Sequence, residues 1–147
     1  MCSLITGCFK KKIEIKDTKS FEFGYSVGNY MNGSYLYKLV LKDDNKYYAF
    51  YKADGVSEED MLTKEIDKDK VLELENILNK HNIYKWDGYS KSDKNVLDGN
   101  GFHLYYHRTD REGISASGYM MYPNGYNDFK SDIISFYEEL FKDEIKD

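Results

Sequence analysis

Cysteine and proline are almost absent from this chain of 147 residues. Both cysteines, Cys2 and Cys8, lie close to the N-terminus, so the chain has no thiol from Phe9 onward. A disulfide framework, a zinc site with cysteine ligands and a catalytic cysteine are therefore excluded from the main body of the chain. Pro123 is the only proline, and no segment has the composition of a proline-rich linker.

Positive charge of the kind that binds nucleic acid is also missing. Arg108 and Arg111 are the only arginines among 21 basic residues, and the formal net charge is −5. Proteins that bind nucleic acid neutralise its phosphates with a basic patch or stripe. The sequence carries no such stripe after Lys12, so nucleic acid is not expected as a partner.

What remains is the composition of a folded domain. Hydrophobic residues make up 41% of the chain and charged residues 32%, which indicates a globular body rather than disorder. A chain of this length can bury a core without disulfides or metals. The 15 tyrosines have two interpretations: codon usage in an AT-rich bacterial genome, or a binding surface rich in tyrosine.

The first 12 residues resemble the end of a bacterial lipoprotein signal peptide. Ile5-Thr6-Gly7-Cys8 places small residues before a cysteine whose thiol can accept a lipid. We expect residues 1–12 to be a signal-peptide remnant and lipid-anchored tether, with lipidation at Cys8 and lysines near anionic head groups. Because a signal peptide needs a basic segment and about 7–15 apolar residues, the native precursor is expected to extend upstream of Met1. An ordinary cytoplasmic N-terminus is the alternative.

Periodicity along the chain predicts the secondary structure. Alternating apolar and polar residues predict strands, and apolar residues three or four apart predict helices. Asp67 and Asn127 suit the N-caps of two helices, and Asn82 suits a left-handed residue that ends the first. Ile13 and Ile15 alternate with charged residues and suggest a short edge strand. The predicted strands cover 21–27, 35–42, 47–52, 61–66, 102–108 and 114–120, the predicted helices cover 71–81 and 129–141, and 86–101 is predicted as a long loop.

The order of these elements predicts one α+β domain over residues 13–147. Antiparallel hairpins followed by helices favour a sheet of about five to seven strands with both helices packed on one face. The opposite face of the sheet must then meet solvent or a partner.

The second predicted hairpin indicates which side chains reach that opposite face. Pairing Arg108 with Ile114 places Tyr106 opposite Ala116, Leu104 opposite Gly118 and Phe102 opposite Met120, which gives a consistent apolar face. The other face then carries polar and aromatic side chains, and we take it as one candidate binding surface. Its members are His103, Tyr105, His107, Ser115, Ser117 and Tyr119.

This surface does not have the spacing that catalysis requires. His103 and His107 are four residues apart, roughly 13 Å along a strand, which is too far to share a metal ion. A catalytic triad of Ser115 and His107 would need a carboxylate to orient the imidazole, and the sequence shows none at an obvious spacing. We therefore expect no enzymatic activity, no metal site and no cofactor. An ordinary solvated sheet face is the alternative to a binding surface.

A second candidate surface lies around the only tryptophan. Trp86, Tyr89, Tyr122 and Tyr126 could line a pocket for a sugar ring or an extended peptide, since aromatic faces stack well on such ligands. The alternative is that Trp86 closes the core where the first helix, the loop and the sheet meet.

Three segments resemble a family of uncharacterised lipoproteins from Clostridium and related low-GC Gram-positive bacteria. They are Asn82-Ile83-Tyr84-Lys85-Trp86-Asp87-Gly88-Tyr89, Val96-Leu97-Asp98-Gly99 and Tyr122-Pro123-Asn124-Gly125-Tyr126. The likeness spans roughly Trp86 to the C-terminus and is looser in the N-terminal strands. It implies an extracytoplasmic location but no activity and no catalytic residue.

The sequence therefore favours a cell-surface lipoprotein whose domain binds other molecules without catalysis. Its partner would be a protein or glycan of the cell envelope, and a lipid anchor would hold it at the cell membrane. The alternative is a cytoplasmic regulatory or immunity-type interaction protein. The ligand and the oligomeric state stay open.

Overall fold

A computed structural model describes residues 12–27, 34–95, 99–110 and 113–145. Within these residues, seven strands and two helices form an α+β fold, as predicted. The helices are α1 (Lys68–Lys80) and α2 (Tyr126–Leu140), and short 3₁₀ turns occur at Glu58–Asp60 and Ile83–Trp86. The strands are β1 (Thr18–Ser26), β2 (Ser34–Leu41), β3 (Tyr47–Lys52), β4 (Leu62–Ile66), β5 (Ser90–Ser92), β6 (Gly101–Arg108) and β7 (Ile114–Tyr119).

All seven strands belong to one sheet with the order β4-β3-β2-β1-β6-β7-β5. Neighbouring strands run antiparallel, except that β5 lies parallel to β7. β1 pairs with β2 on one side and with β6 on the other, although β6 is distant from it in sequence. This pairing places β1 at the centre of the sheet. Side chains of β1 therefore have neighbours from both halves of the chain.

Both helices bury their apolar stripes against the same face of the sheet. Alternate residues of β1 and β6 are buried, as the period of a half-buried strand requires. Phe129 and Tyr137 of α2 place their rings 5.2 and 5.1 Å from those of Phe23 and Tyr37. The core formed in this way includes Phe21, Phe23, Tyr37, Leu39, Val71, Leu74, Leu78, Leu104, Tyr106, Phe129, Ile133 and Tyr137.

The predicted ends of the helices agree with the structure in two places and differ in one. The side chain of Asp67 accepts a hydrogen bond from Lys70 N at 3.1 Å, and Asn82 adopts the left-handed conformation with φ of 51°. Asn127 is not the N-cap of α2, because the helix already begins at Tyr126. Gly125 precedes it with φ of 83°, a conformation that glycine adopts at little cost.

The predicted register of the second hairpin is wrong by two residues. Tyr106 pairs with Ile114, Leu104 with Ala116 and Phe102 with Gly118. The end of β6 stays with β1, where Arg108 pairs with Thr18 and its guanidinium binds Asp110. The loop to β7 is therefore longer than predicted. Because strand side chains alternate with a period of two, the side chains within the two strands still lie on their predicted faces. Met120 is the exception: it was predicted to lie on the apolar face, but β7 ends at Tyr119, and Met120 is 37% exposed with φ of 57°.

Two predictions about irregular segments are also corrected. The predicted loop 86–101 contains β5, which is polar and exposed throughout and so carries no apolar pattern. It is held through backbone bonds to β7, including Ser117 N to Tyr89 O at 2.9 Å. Ile15 is buried but does not belong to a strand. The amide side chain of Asn79 in α1 accepts a hydrogen bond from the backbone N–H of Ile15 and donates one to the carbonyl of Ile15, each at 2.9 Å. Asn79 thus makes the hydrogen bonds that a neighbouring strand would make.

Candidate functional site

The structure places His103, Tyr105, His107 and Tyr119 on the face of the sheet opposite the two helices. We call this surface the open sheet face. Tyr105 is 41% exposed, His107 is exposed, and His103 and Tyr119 are half-buried. No helix in the described parts of the chain covers these side chains. The phenol oxygen of Tyr119 accepts a hydrogen bond from Gly99 N at 2.7 Å, so this residue also supports the neighbouring loop.

One row of side chains crosses the open sheet face through six strands. Cross-strand pairing joins neighbouring members of the row, and its centre is the ion pair of Glu22 and Lys38, at 3.8 Å. Tyr105 and Phe50 lie on either side of this pair. At about 4.8 Å per strand the two rings are roughly 14 Å apart. In strand order the row reads Ser115, Tyr105, Glu22, Lys38, Phe50 and Thr63.

His103 is fixed by a carboxylate that the sequence analysis missed. Its Nε2–H donates to Glu22 Oε2 at 2.7 Å. This hydrogen bond, the positive charge of Lys38 and that of a protonated His103 hold the pKa of Glu22 below its usual value. The contact between Glu22 and His103 was not predicted because Glu22 lies in β1, which is distant in sequence from β6. Only the β1–β6 pairing brings the two side chains together.

Gly24 makes the position of the His103 ring possible. The two residues are cross-strand partners, and a Cβ atom on Gly24 would lie 2.4 Å from His103 Cε1. The imidazole therefore occupies the space beside Gly24 that a larger side chain would fill, with the ring of Tyr105 at 5.2 Å. His107 is held less firmly, since its Nδ1 is 3.5 Å from Ser20 Oγ. Within the described ranges, no three His, Cys, Asp or Glu side chains are grouped so as to hold a metal ion.

The four aromatic residues of the second candidate surface gather around one phenylalanine. The ring centres of Tyr126, Tyr122, Tyr89 and Trp86 lie 4.9, 5.8, 6.2 and 6.3 Å from that of Phe102. The four residues do not contribute equally to the surface. Trp86 is 4% exposed and Tyr126 is 5% exposed, whereas Tyr89 is half-buried and Tyr122 is 36% exposed.

Trp86 is therefore mainly a core residue, as the alternative interpretation expected. Its ring lies 5.0 Å from that of Phe129 in an edge-on arrangement, a geometry that aromatic pairs favour. The tyrosines at the surface are held by this packing, since the rings of Tyr122 and Tyr126 are only 4.5 Å apart. Burial raises the pKa of Tyr89 and of Tyr122, so both phenols stay neutral in the physiological range.

A groove with a volume of about 590 Å³ opens beside these rings. We call it the aromatic groove. One wall follows the end of α1 and the 3₁₀ turn after it, and the other wall combines β5 with the turn before α2. Its lining residues are His81, Asn82, Lys85, Trp86, Tyr89, Lys91, Met121, Tyr122, Pro123 and Asn124. Asn124, His81 and the two lysines were not identified from the sequence.

No known protein family matches the chain, and no curated protein matches it either. The predicted lipidation site, Cys8, lies outside the described residues. No helix within the described ranges is long and apolar enough to cross a membrane.

Proposed function

We propose that this chain is a lipid-anchored protein of the bacterial cell envelope that binds a partner protein through its open sheet face and catalyses no reaction. The observation that carries the proposal is the row of side chains centred on Glu22 and Lys38, with an aromatic ring on each side. Tyr105 is exposed and Phe50 is half-buried, and aromatic side chains are enriched in protein interfaces, where they often contribute much of the binding energy.

The rigidity of the open sheet face supports recognition of a protein surface. Its side chains project from paired strands, and several are fixed before any partner arrives. Lys38 Nζ lies 5.7 Å from the ring centre of Phe50 and also contacts Glu22. Glu22 in turn holds His103. A surface with its side chains already ordered loses less conformational entropy on binding.

The location at the envelope rests on different support. Ile5-Thr6-Gly7-Cys8 has the pattern at which bacterial lipoproteins are cleaved and acylated, and Cys8 is followed by a body without thiols. The resemblance of three segments to clostridial lipoproteins points the same way. A lipid on Cys8, with lysines next to anionic head groups, would hold the domain close to the membrane.

A photo-crosslinking amino acid in place of Tyr105 tests the binding surface in the bacterium that carries the native gene. We expect illumination to join the protein to one protein partner, because position 105 would lie at the interface. The adduct should be lost when Phe50→Ala is added, since this change removes the second ring of the row. The same probe at Glu138, an exposed residue of α2, should give no adduct. Equal adducts from both positions, or none from position 105, would contradict the proposal.

Cell fractionation with the Cys8→Ser variant tests the location separately. The native protein should be recovered with the membrane, and the variant should not, because a serine hydroxyl does not accept the diacylglycerol. Mass spectrometry should find a lipid on Cys8 as the mature N-terminus. Recovery of the native protein in the cytoplasm with an unmodified Met1 would instead favour the cytoplasmic regulatory or immunity-type role.

A further inference from the structure

We propose that the aromatic groove is a separate binding site for an acidic carbohydrate, a sugar that carries a carboxylate or a phosphate. The site is distinct from the open sheet face, and it would add a ligand-binding activity to the proposed interaction with a partner protein. Its size is suitable, because small-ligand sites usually have volumes of about 300–1,000 Å³.

The charge of the lining selects for an anion. Lys85 and Lys91 are basic, and none of the ten residues that line the groove is Asp or Glu. This is notable in a chain with 26 acidic residues and a formal charge of −5. The third basic group, His81, is already bonded to Asp132 at 2.7 Å, and Asp132 also binds Lys80. Lys85 also takes part in an interaction within the protein, so the preference for an anion rests on Lys91.

Lys91 holds its charge beside the rings rather than extending into solvent. Its Nζ lies 5.3 Å from the ring centre of Tyr89, a distance at which a cation is attracted to an aromatic face. A carboxylate or phosphate in the groove would reach this ammonium group through a charge-assisted hydrogen bond. Lys91 lies in β5, which pairs with β7, so the backbone of this lysine has a fixed position at the groove wall.

The remaining lining suits the ring and hydroxyl groups of a sugar. The ring of Tyr122 is stacked on Phe102 at an interplanar angle of 28°, which fixes its orientation while leaving the residue 36% exposed. Such a face can stack on the apolar side of a sugar ring. Asn82 and Asn124 are exposed, and each amide can both donate and accept, as sugar hydroxyls require.

Fluorescence titration provides the test, because Trp86 is the only tryptophan and borders the groove. The acidic probes are trigalacturonate, which carries carboxylates, and glucose 6-phosphate, which carries a phosphate. At low ionic strength we expect at least one of them to bind with a dissociation constant below about 1 mM. Neutral maltotriose and the acidic peptide triglutamate should each bind about tenfold more weakly or not at all. The acidic probe that binds identifies the type of anion.

Variants of the groove assign the binding to these residues. Lys91→Gln should weaken the acidic sugar about tenfold, because it removes one charge-assisted hydrogen bond from an exposed side chain. Tyr122→Ala should also weaken it. Lys142 follows the end of α2 and lies outside the groove, so Lys142→Gln should leave binding unchanged. The proposal is overturned if neither acidic sugar binds better than maltotriose or if triglutamate binds as tightly. It is also overturned if Lys142→Gln weakens binding as much as Lys91→Gln.

Discussion

Replacement of Phe129 by alanine should lower the free energy of unfolding by about 3–5 kcal/mol, the usual cost of deleting a buried aromatic ring. Phe129 is fully buried where α2, the sheet and the 3₁₀ turn meet. Its ring centre lies 5.2 Å from that of Phe23 and 5.0 Å from that of Trp86. Removal of the ring would leave a cavity between three elements that cannot all move inward together. Urea unfolding followed by Trp86 fluorescence measures the loss.

Phe136→Ala is a matched control because it removes the same side chain from the same helix. Phe136 is only half-buried, and among the described residues its ring meets that of Tyr137, at 5.3 Å. Much of its surface is already in contact with water, so we expect a loss of about 1–2 kcal/mol. Similar losses in the two variants would show that the inner face of α2 has been assigned wrongly.

The same experiment bears on the aromatic groove. Phe129 supports Trp86, and Trp86 borders the groove while being almost fully buried. The exposed rings of the groove therefore depend on the core behind them. Binding studies with groove variants should use changes at exposed positions such as Lys91, so that a loss of affinity is not a loss of folding.

Local patterns in the sequence were sufficient for both helices, for six of the seven strands and for the buried faces of these elements. The alternation in β6 assigned Leu104 and Tyr106 to the core and His103 and Tyr105 to the opposite side, and the structure agrees. This succeeded even though the predicted register was wrong by two residues, because a shift of two preserves the face. The spacing of apolar residues within one strand or helix depends only on neighbouring residues, so it can be determined from a single sequence.

Contacts between distant strands were not predictable in the same way. The pairing of β1 with β6 joins residues about 80 positions apart and brings Glu22 to His103, and no turn between the two strands sets the register. The row across the open sheet face therefore could not be assembled from the sequence. The aromatic groove is similar: Trp86 and Tyr122 were chosen for their chemistry, but Lys91 lies in β5, a strand without an apolar pattern.

The central strand begins earlier than predicted, at Thr18 instead of residue 21, and a buried carboxylate explains the difference. Glu75 of α1 is 4% exposed, and it accepts hydrogen bonds from Thr18 N at 3.2 Å and Thr18 Oγ1 at 2.6 Å. The carbonyl of Thr18 accepts from Tyr47 of β3 at 2.7 Å. Glu75 thus holds the first residue of the central strand against the helix. The spacing of apolar residues in the helix does not reveal this role, because Glu75 is a charged residue.

Glu75→Ala should therefore lower the free energy of unfolding by about 3 kcal/mol, because each bond to a charged group contributes roughly 1.5–3 kcal/mol and a buried N–H would lose its acceptor. Glu73→Ala is the matched control, since Glu73 is exposed and forms an ion pair with Lys70 at 3.0 Å on the surface of the same helix. An exposed pair of this kind contributes less than about 0.5 kcal/mol. In the double variant with Thr18→Val, the second change should cost less than it does alone, because its partner is already gone. Urea unfolding of the native protein and of these four variants measures both effects. Equal losses at positions 73 and 75, or strictly additive losses in the double variant, would show that Glu75 does not hold β1 in place.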